Sequence, residues 1–239
     1  MPIHLKVNQG DVAERVVVAG DPARVEYISK KFLKEPRVVN TNRGLIAYTG
    51  KYKGMKISIV THGMGAPSAL IVLEELIEVG AKAVIRLGSC GAMIPGMKIG
   101  DVVIPTGASY YPGGAYYQYY REQICAPAVP DFNLLKALVD AAEEKGLNYR
   151  LGPILSSDAF YAEDPDFARK WASRGVIAVE MECAGIFSIG LMRGIKTASL
   201  LLVSDSLVED LGFADARELN RYADRAAEVV LDALTKIKL

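Results

Sequence analysis

The sequence predicts an α/β fold: a single domain over residues 1–239 with a mixed, mostly parallel central sheet flanked by helices. Three observations lead there. Short apolar runs such as Arg15–Ala19, Ala83–Leu87 and Thr197–Val203 alternate with stretches of helical periodicity. Polar, glycine-bearing turns follow the apolar runs. The chain, 239 residues with 51% hydrophobic and 23% charged, suffices for one large core and contains no linker, low-complexity run or internal repeat.

The elements follow in order. Arg15 to Ala19 reads as strand, Gly20-Asp21 as a turn, and Pro22 to Phe32 as a helix capped by Asp21, with proline at its first position. Leu45 to Tyr48 and Ile57 to Val60 read as hairpin arms around Gly50-Lys51-Tyr52-Lys53-Gly54. After Gly63-Met64-Gly65, a helix starts at Pro67 or Ser68, runs to about Val79 and is closed by Gly80. Ala83 to Leu87 is an apolar strand ending in Gly88-Ser89-Cys90-Gly91. Val102 to Pro105 is strand, and a long Gly/Tyr-rich loop is expected from Thr106 to Pro130. Then come a helix from Asp131 to Lys145, a strand near Tyr149 to Leu155, and a helix near Asp164 to Arg174. The strand leading to Glu180, a helix to Gly194, the strand Thr197 to Val203 and a terminal helix from Ala216 to Lys238 complete the chain.

Composition excludes several classes. Basic and acidic residues balance at 28 each, so no global field attracts nucleic acid or anionic lipid, and any anion site must be built locally. No apolar stretch reaches the ~18–20 residues of a membrane span, and Met1-Pro2-Ile3-His4-Leu5-Lys6 lacks a signal-peptide core. A cytoplasmic protein with neither nucleic-acid nor membrane partners is expected. Cys90, Cys125 and Cys183 show no metal-ligand spacing or disulfide framework and read as small half-buried side chains, although the loop-like setting of Cys125 leaves an intersubunit disulfide open. His4 and His62 are too few for a metal cage. No P-loop, dinucleotide fingerprint or G-x-S-x-G elbow occurs.

Polar groups recur after apolar runs, at Gly20/Asp21, Gly88/Ser89, Ser157/Asp158, Glu180/Glu182 and Ser204/Asp205. Ligands of open α/β sheets bind outside the carboxyl ends of strands, so one shared pocket is the economical reading. Glu180 and Glu182, two apart in extended backbone, would project to one side. Paired acids beside a core strand suit sugar hydroxyls, a metal or a buried cation; the competing reading has one in solvent and the other capping a helix. Gly20-Asp21-Pro22-Ala23-Arg24 has the ingredients of an anion site: close backbone approach, helix N–H groups and a guanidinium. Arg86 with Gly88-Ser89-Cys90-Gly91 repeats them. Asp205, ending the most apolar strand, would be partly desolvated and suited to general-acid work, or else a cap. Phe160 could stack on a flat base, though such aromatics are more often core. Six of the twelve tyrosines lie between Tyr110 and Tyr120, which favours loop packing or a subunit contact over an aromatic ligand.

Taken together and in order, these pieces resemble the nucleoside phosphorylase superfamily of the hexameric purine nucleoside phosphorylase and uridine phosphorylase type. The resemblance rests on Gly20-Asp21-Pro22-x-Arg24, Asn42-Arg43-Gly44, and Thr61-His62-Gly63-Met64-Gly65-Ala66-Pro67-Ser68 continuing to Glu75-Leu76. It continues through Arg86-x-Gly88-Ser89-x-Gly91-Ala92, Ser157-Asp158-x-Phe160-Tyr161, Val179-Glu180-Met181-Glu182 and Val203-Ser204-Asp205. Ser157 to Asp164 and the Tyr-rich stretch up to Arg121 look most like archaeal 5′-methylthioadenosine phosphorylases of this group.

The resemblance implies phosphorolysis of purine ribonucleosides (adenosine, inosine, guanosine and methylthioadenosine) to free base and ribose 1-phosphate, or 5-methylthioribose 1-phosphate from the last. Inorganic phosphate would be the co-substrate, with no metal or organic cofactor. By position, Gly20, Arg24, Arg86 and Ser89 would hold phosphate, with Arg43 reaching in from a neighbouring subunit. Glu182, helped by Glu180 and the Met181 backbone, would accept from the ribose hydroxyls; Met64 would pack on the sugar, and the neighbour's His4 would lie near the 5′ position. Phe160 and Ser204 would border the base, and Asp205 would protonate or hydrogen-bond purine N7. Arg217, or else Arg221, would assist Asp205. A homohexamer, a trimer of dimers, is implied. Leu70 departs from the small residue usual at its position, which bears on helix packing.

Three alternatives stand beside this one. Uridine phosphorylases read the pyrimidine with glutamine and arginine after the Phe-Tyr pair, and Ala162-Glu163-Asp164-Pro165-Asp166 has neither. Hydrolases acting on methylthioadenosine have no need of Arg24, Arg43 and Arg86 together. A non-catalytic nucleoside-binding protein would not require an intact Asp205.

Overall fold

The computed structural model describes residues 2–239, apart from the side chains of residues 216, 217 and 220. Strand β1 (Arg15–Ala19) leads through Asp21, whose side chain accepts from Ala23 N–H, into α1 (Pro22–Phe32). Next come β2 (Lys34–Asn40), β3 (Ala47–Tyr52), β4 (Met55–Thr61), α2 (Ala66–Glu78) and β5 (Ala83–Ala92). The middle holds β6 (Val102–Tyr110), α3 (Gly114–Tyr120), α4 (Phe132–Glu144), β7 (Tyr149–Ser156) and α5 (Phe167–Ala172). The chain closes with β8 (Ala178–Glu180), α6 (Cys183–Arg193), β9 (Lys196–Ser206) and α7 (Ala216–Lys236).

The strands form one mixed sheet in the order β2-β3-β4-β1-β5-β8-β7-β6-β9, and β9 also pairs with β5. That last pairing closes β5, β8, β7, β6 and β9 into a ring, leaving β2, β3, β4 and β1 as an open wing. β1 is parallel to both β4 and β5, and β5 is parallel to β9, so four strands present their carboxyl ends at one edge.

Continuous apolar strands arise because both faces are covered. Val17, Ile85, Leu200 and Leu202 pack with α1, α4 and α7, whereas Val16, Val18, Val84, Leu201 and Val203 pack with α2 and α6. Residues two apart share a face, and each face has its own helical layer. Leu70 of α2 lies against Gly185 of α6, where an added Cβ would meet its Cδ2 at 3.1 Å, so its extra bulk fills the space the glycine leaves.

Several boundaries differ from the sequence-based expectations, each for a physical reason. The β3–β4 turn contains only Lys53 and Gly54, at φ 47° and 83°, since Gly50, Lys51 and Tyr52 remain in the ladder opposite Ile57, Lys56 and Met55. Strand β2 was not expected, being polar and interrupted by Pro36; it is an edge strand paired only with β3, where such residues are at home. The expected loop from Thr106 begins as strand: β6 continues past an irregularity at Pro105 to pair with β7 as far as Tyr110, and α3 follows. Gly88-Ser89-Cys90-Gly91 is likewise not a loop, because β5 runs through it between β9 and β8.

Candidate active site

A cavity of about 760 Å³ opens at the carboxyl ends of these strands, a volume within the ~300–1,000 Å³ typical of small-ligand sites. Gly20, Arg24, Arg43, Met64, Arg86, Ser89, Phe160, Glu180, Met181, Glu182, Ser204 and Asp205 all line it. Residues up to 185 positions apart in sequence are thus brought together by the parallel pairing of β1, β5 and β9.

One end is built for an anion. Gly20 lies so close beneath the Gly63 carbonyl that a Cβ would sit 2.9 Å from it, and its backbone borders the cavity beside the start of α1. Arg24 lies in the first turn of α1, 4% exposed, and its Nε has no hydrogen-bond partner. A cation there opposes the helix dipole. Burial pushes its pKa down, Asp21 partly offsets this, and the charge of Arg86 pushes it down further. Arg86 is also buried with an unpartnered Nε. Half-buried Ser89 adds a hydroxyl, and exposed Arg43, in left-handed backbone at φ 57°, borders the cavity of its own chain. Two buried guanidiniums and a helix N-terminus border this space; Glu182 and Glu180 meet the charge of Arg86, while Arg24 keeps an unpartnered Nε that an anion would satisfy.

Beyond them lie the two glutamates, and here the strand geometry expected from sequence fails. Only Glu180 ends β8; Glu182 has already turned, at φ −137° and ψ −28°, into the N-terminus of α6. The carboxylate of Glu180 accepts from Ser156 Oγ at 2.5 Å, Glu182 N–H at 2.8 Å and Cys183 N–H at 3.0 Å. It therefore caps α6, and burial raises its pKa. Glu182 accepts from Gly65 N–H at 2.7 Å and pairs with Arg86. Burial opposes its charge, but the Arg86 guanidinium prevails and lowers its pKa. Conversely, burial disfavours the Arg86 cation, and Glu182 and Glu180 outweigh it and raise its pKa.

His62 adjoins this network without touching the cavity. It is 1% exposed, and neither ring nitrogen has a hydrogen-bond partner. Burial, reinforced by Arg86 and opposed by Glu182, pushes its pKa from 6.5 down to about 4. The unfolded chain therefore takes up a proton between pH 6.5 and 4 that the folded chain refuses. The stability is complete above pH 6.5 and is lost as pH falls toward the folded value, by about 3 kcal/mol at most. Melting curves between pH 7 and 4.5 should show that His62→Leu flattens this acid limb; an unchanged limb would assign it to other groups.

At the far end, register sets Asp205. Between Cys90↔Val203 and Gly91↔Asp205 the β5–β9 ladder slips by one residue, leaving Ser204 as the bulge. Asp205 is half-buried and accepts from Ser204 Oγ at 2.7 Å. A Cβ on Gly91 would stand 3.1 Å from its Oδ2. Phe160 is 51% exposed and meets Phe213 edge-on, with centroids 6.5 Å apart, so both rings remain open to the cavity. Glu163 joins them; burial raises its pKa, as does the neighbouring charge of Asp205.

His4 and Arg221 stand apart from the lining. His4 lies outside the cavity lining, with Nδ1 2.7 Å from Glu75, which also accepts from the backbone N–H groups of Ile3, His4 and Leu5. The side chain of Arg217 lies outside the described residues, and exposed Arg221 does not line the cavity. Met64 is 85% exposed at the lining. Glu163, Leu207 and Phe213 were missed by sequence reasoning because they fall in stretches without periodicity, although the placement of acid and aromatic residues beside a motif was a usable signal. Among the described residues, no group of three or more His, Cys, Asp or Glu could hold a metal, and no helix is long and apolar enough to cross a membrane. Cys90 and Cys183 are fully buried rather than half-buried; Cys125 is exposed and free.

Comparison with known proteins gives a consistent picture. Residues 14–235 match the family described as the phosphorylase superfamily. A DeoD-type purine nucleoside phosphorylase of Yersinia enterocolitica is 41% identical over 232 residues, 97% of this chain and 95% of that protein. Proteins of the same description from Caldanaerobacter subterraneus subsp. tengcongensis and Xenorhabdus nematophila are 41% and 42% identical, over 87% and 85% of the chain and 89% and 85% of their own lengths.

Proposed function

The chain belongs to the phosphorylase superfamily, and from that premise we propose that it cleaves purine ribonucleosides with inorganic phosphate, releasing the free base and ribose 1-phosphate. The observation that carries this reading is Arg24, a buried guanidinium without a partner at its Nε, beside Arg86 and a helix N-terminus in a cavity that also holds Glu182 and Asp205.

In this reading, phosphate lies against Gly20, Arg24, Arg86 and Ser89, with Arg43 at the rim. Glu182 and the Met181 backbone take the ribose hydroxyls, while Glu180 holds the α6 start on which both depend. Leaving of the base builds positive charge on the ribosyl ring; bound phosphate stabilises it and then attacks C1′, a positioning effect as much as an electrostatic one. Asp205 delivers a proton or hydrogen bond to N7 of the departing purine, and Phe160 stacks on it. Glu163 presents an acceptor to the N–H groups on the six-membered edge of the base. No step calls for a metal.

The 5′ end of the cavity is left to a second subunit. Ile3 is 73% exposed and Met64 85% exposed, as subunit contacts would require, and His4 of a neighbour would approach there in a homohexamer. An apolar lining of that kind accepts a 5′-thioether, so methylthioadenosine is included among the substrates.

Rates for adenosine, inosine, guanosine, methylthioadenosine and uridine, each with and without phosphate, test the proposal. Phosphate-dependent turnover of the purine nucleosides is expected, with uridine at least about 100-fold slower, the loss when the general acid Asp205 has no N7 to meet. Turnover without phosphate would make the protein a hydrolase, and turnover of uridine alone would overturn the purine assignment.

A further inference from the structure

The Arg86–Glu182 ion pair joins the anion end of the cavity to the sugar end. Arg86 folds over Gly88, where the missing Cβ leaves the space its guanidinium fills. Nη2 donates to Glu182 Oε2 and lies 3.5 Å from Glu180 Oε2, while Nε is unpartnered. Both oxygens of Glu182 are engaged, one by Arg86 and the other by Gly65 N–H at 2.7 Å. Glu180 offers Arg86 no equal alternative, since its oxygens already accept from Ser156 and from the backbone of Glu182 and Cys183.

We infer that Arg86 is shared between phosphate and Glu182, so that phosphate and nucleoside bind with positive coupling carried by this pair. The inference rests on the phosphorolysis reading and deepens it. In the empty cavity the sugar-side carboxylate is spent on neutralising the phosphate-side cation. A phosphate dianion beside Arg24 and Arg86 draws that charge to itself and restores Glu182 as an acceptor for ribose hydroxyls. Hydroxyls on Glu182 in turn release Arg86 toward phosphate. By linkage, the factor is the same in both directions.

Titration calorimetry on the full chain tests this, using inorganic phosphate and a purine C-nucleoside, whose carbon–carbon glycosidic bond phosphorolysis cannot break. Each probe should bind at least about 5-fold tighter when the other is saturating, by one common factor. In Glu182→Gln the factor should collapse to about 1 while phosphate alone binds at least as tightly as in the parent; a carboxylate acting only as a sugar ligand would weaken nucleoside binding and leave the factor intact. Gly88→Ala, whose Cβ takes the place of the guanidinium, should lower the factor with Glu182 still present, which covers the case in which the first variant does not fold. Independent binding of both probes to the parent chain, or a factor unchanged in the folded variants, overturns the inference alone. Failure of phosphate to bind at all would overturn the phosphorolysis reading beneath it.

Discussion

Replacing Asp205 with asparagine should lower kcat on adenosine and inosine by about 10²- to 10⁴-fold, the range associated with losing a positioned general acid. Phosphate affinity should change by less than about 2-fold, because Asp205 bonds to Ser204 whereas Arg86 pairs with Glu182 and Glu180, and effects of sites without shared partners are close to independent. The side chain is held by Ser204 Oγ and sits over Gly91, so asparagine keeps the shape and one of the contacts but cannot deliver the proton. An N7-methylated purine nucleoside supplies the control. Its base already carries positive charge and leaves without protonation, so its cleavage should be largely spared. Equal losses on both substrates, or parallel losses in turnover and phosphate binding, would make Asp205 a structural tie at the β9 bulge.

Arg24→Met should do two things that seldom accompany each other: weaken phosphate and strengthen the fold. The guanidinium is 4% exposed, lies at a helix start where the dipole is unfavourable to it, and feels the repulsion of Arg86. Asp21 offsets only part of this. An apolar side chain of similar length removes a buried charge whose Nε has no partner. The melting temperature without phosphate should rise by about 2–4 °C, which corresponds to about 1 kcal/mol for a chain of this length. The KM for phosphate should rise by about 10²-fold, as expected when one or two charge-assisted hydrogen bonds are lost. Added phosphate should raise the melting temperature of the parent chain far more than that of the variant. A lower melting temperature in the absence of phosphate would show that Arg24 secures the fold.

The chemistry-bearing residues were readable because each sits at a transition the pattern marks. Gly20, Arg24, Glu180 and Asp205 all lie at or just beyond the place where an apolar run meets a polar turn, and the pairing of β1, β8 and β9 with β5 brings them together. Gly88 misled for an instructive reason. Glycines lower the propensity for strand, so the Gly-Ser-Cys-Gly run was expected as loop, yet its backbone stays paired with β9 throughout and with β8 at Gly91. The glycine at 88 is present because a guanidinium two residues earlier occupies the space beside it. Glu163 and Phe213 lie outside any regular period, and their place at the cavity depends on how the short 3-10 helix Phe160–Ala162 and residues 207–215 fold back.

What the sequence determined by itself was local: which runs are apolar on two faces, where helices start and stop, and which reactive side chains end the strands. Those properties depend on neighbours a few residues away, through the periods of helix and strand. Tertiary structure alone decided that Glu180 caps α6 while Glu182 pairs with Arg86, that a bulge at Ser204 sets Asp205 opposite Gly91, and that Arg24 is left without a partner at its Nε. Each of these turns on a register or a distance between segments far apart in the chain, and hydrogen-bond partners and charge balance exist only once those segments are packed.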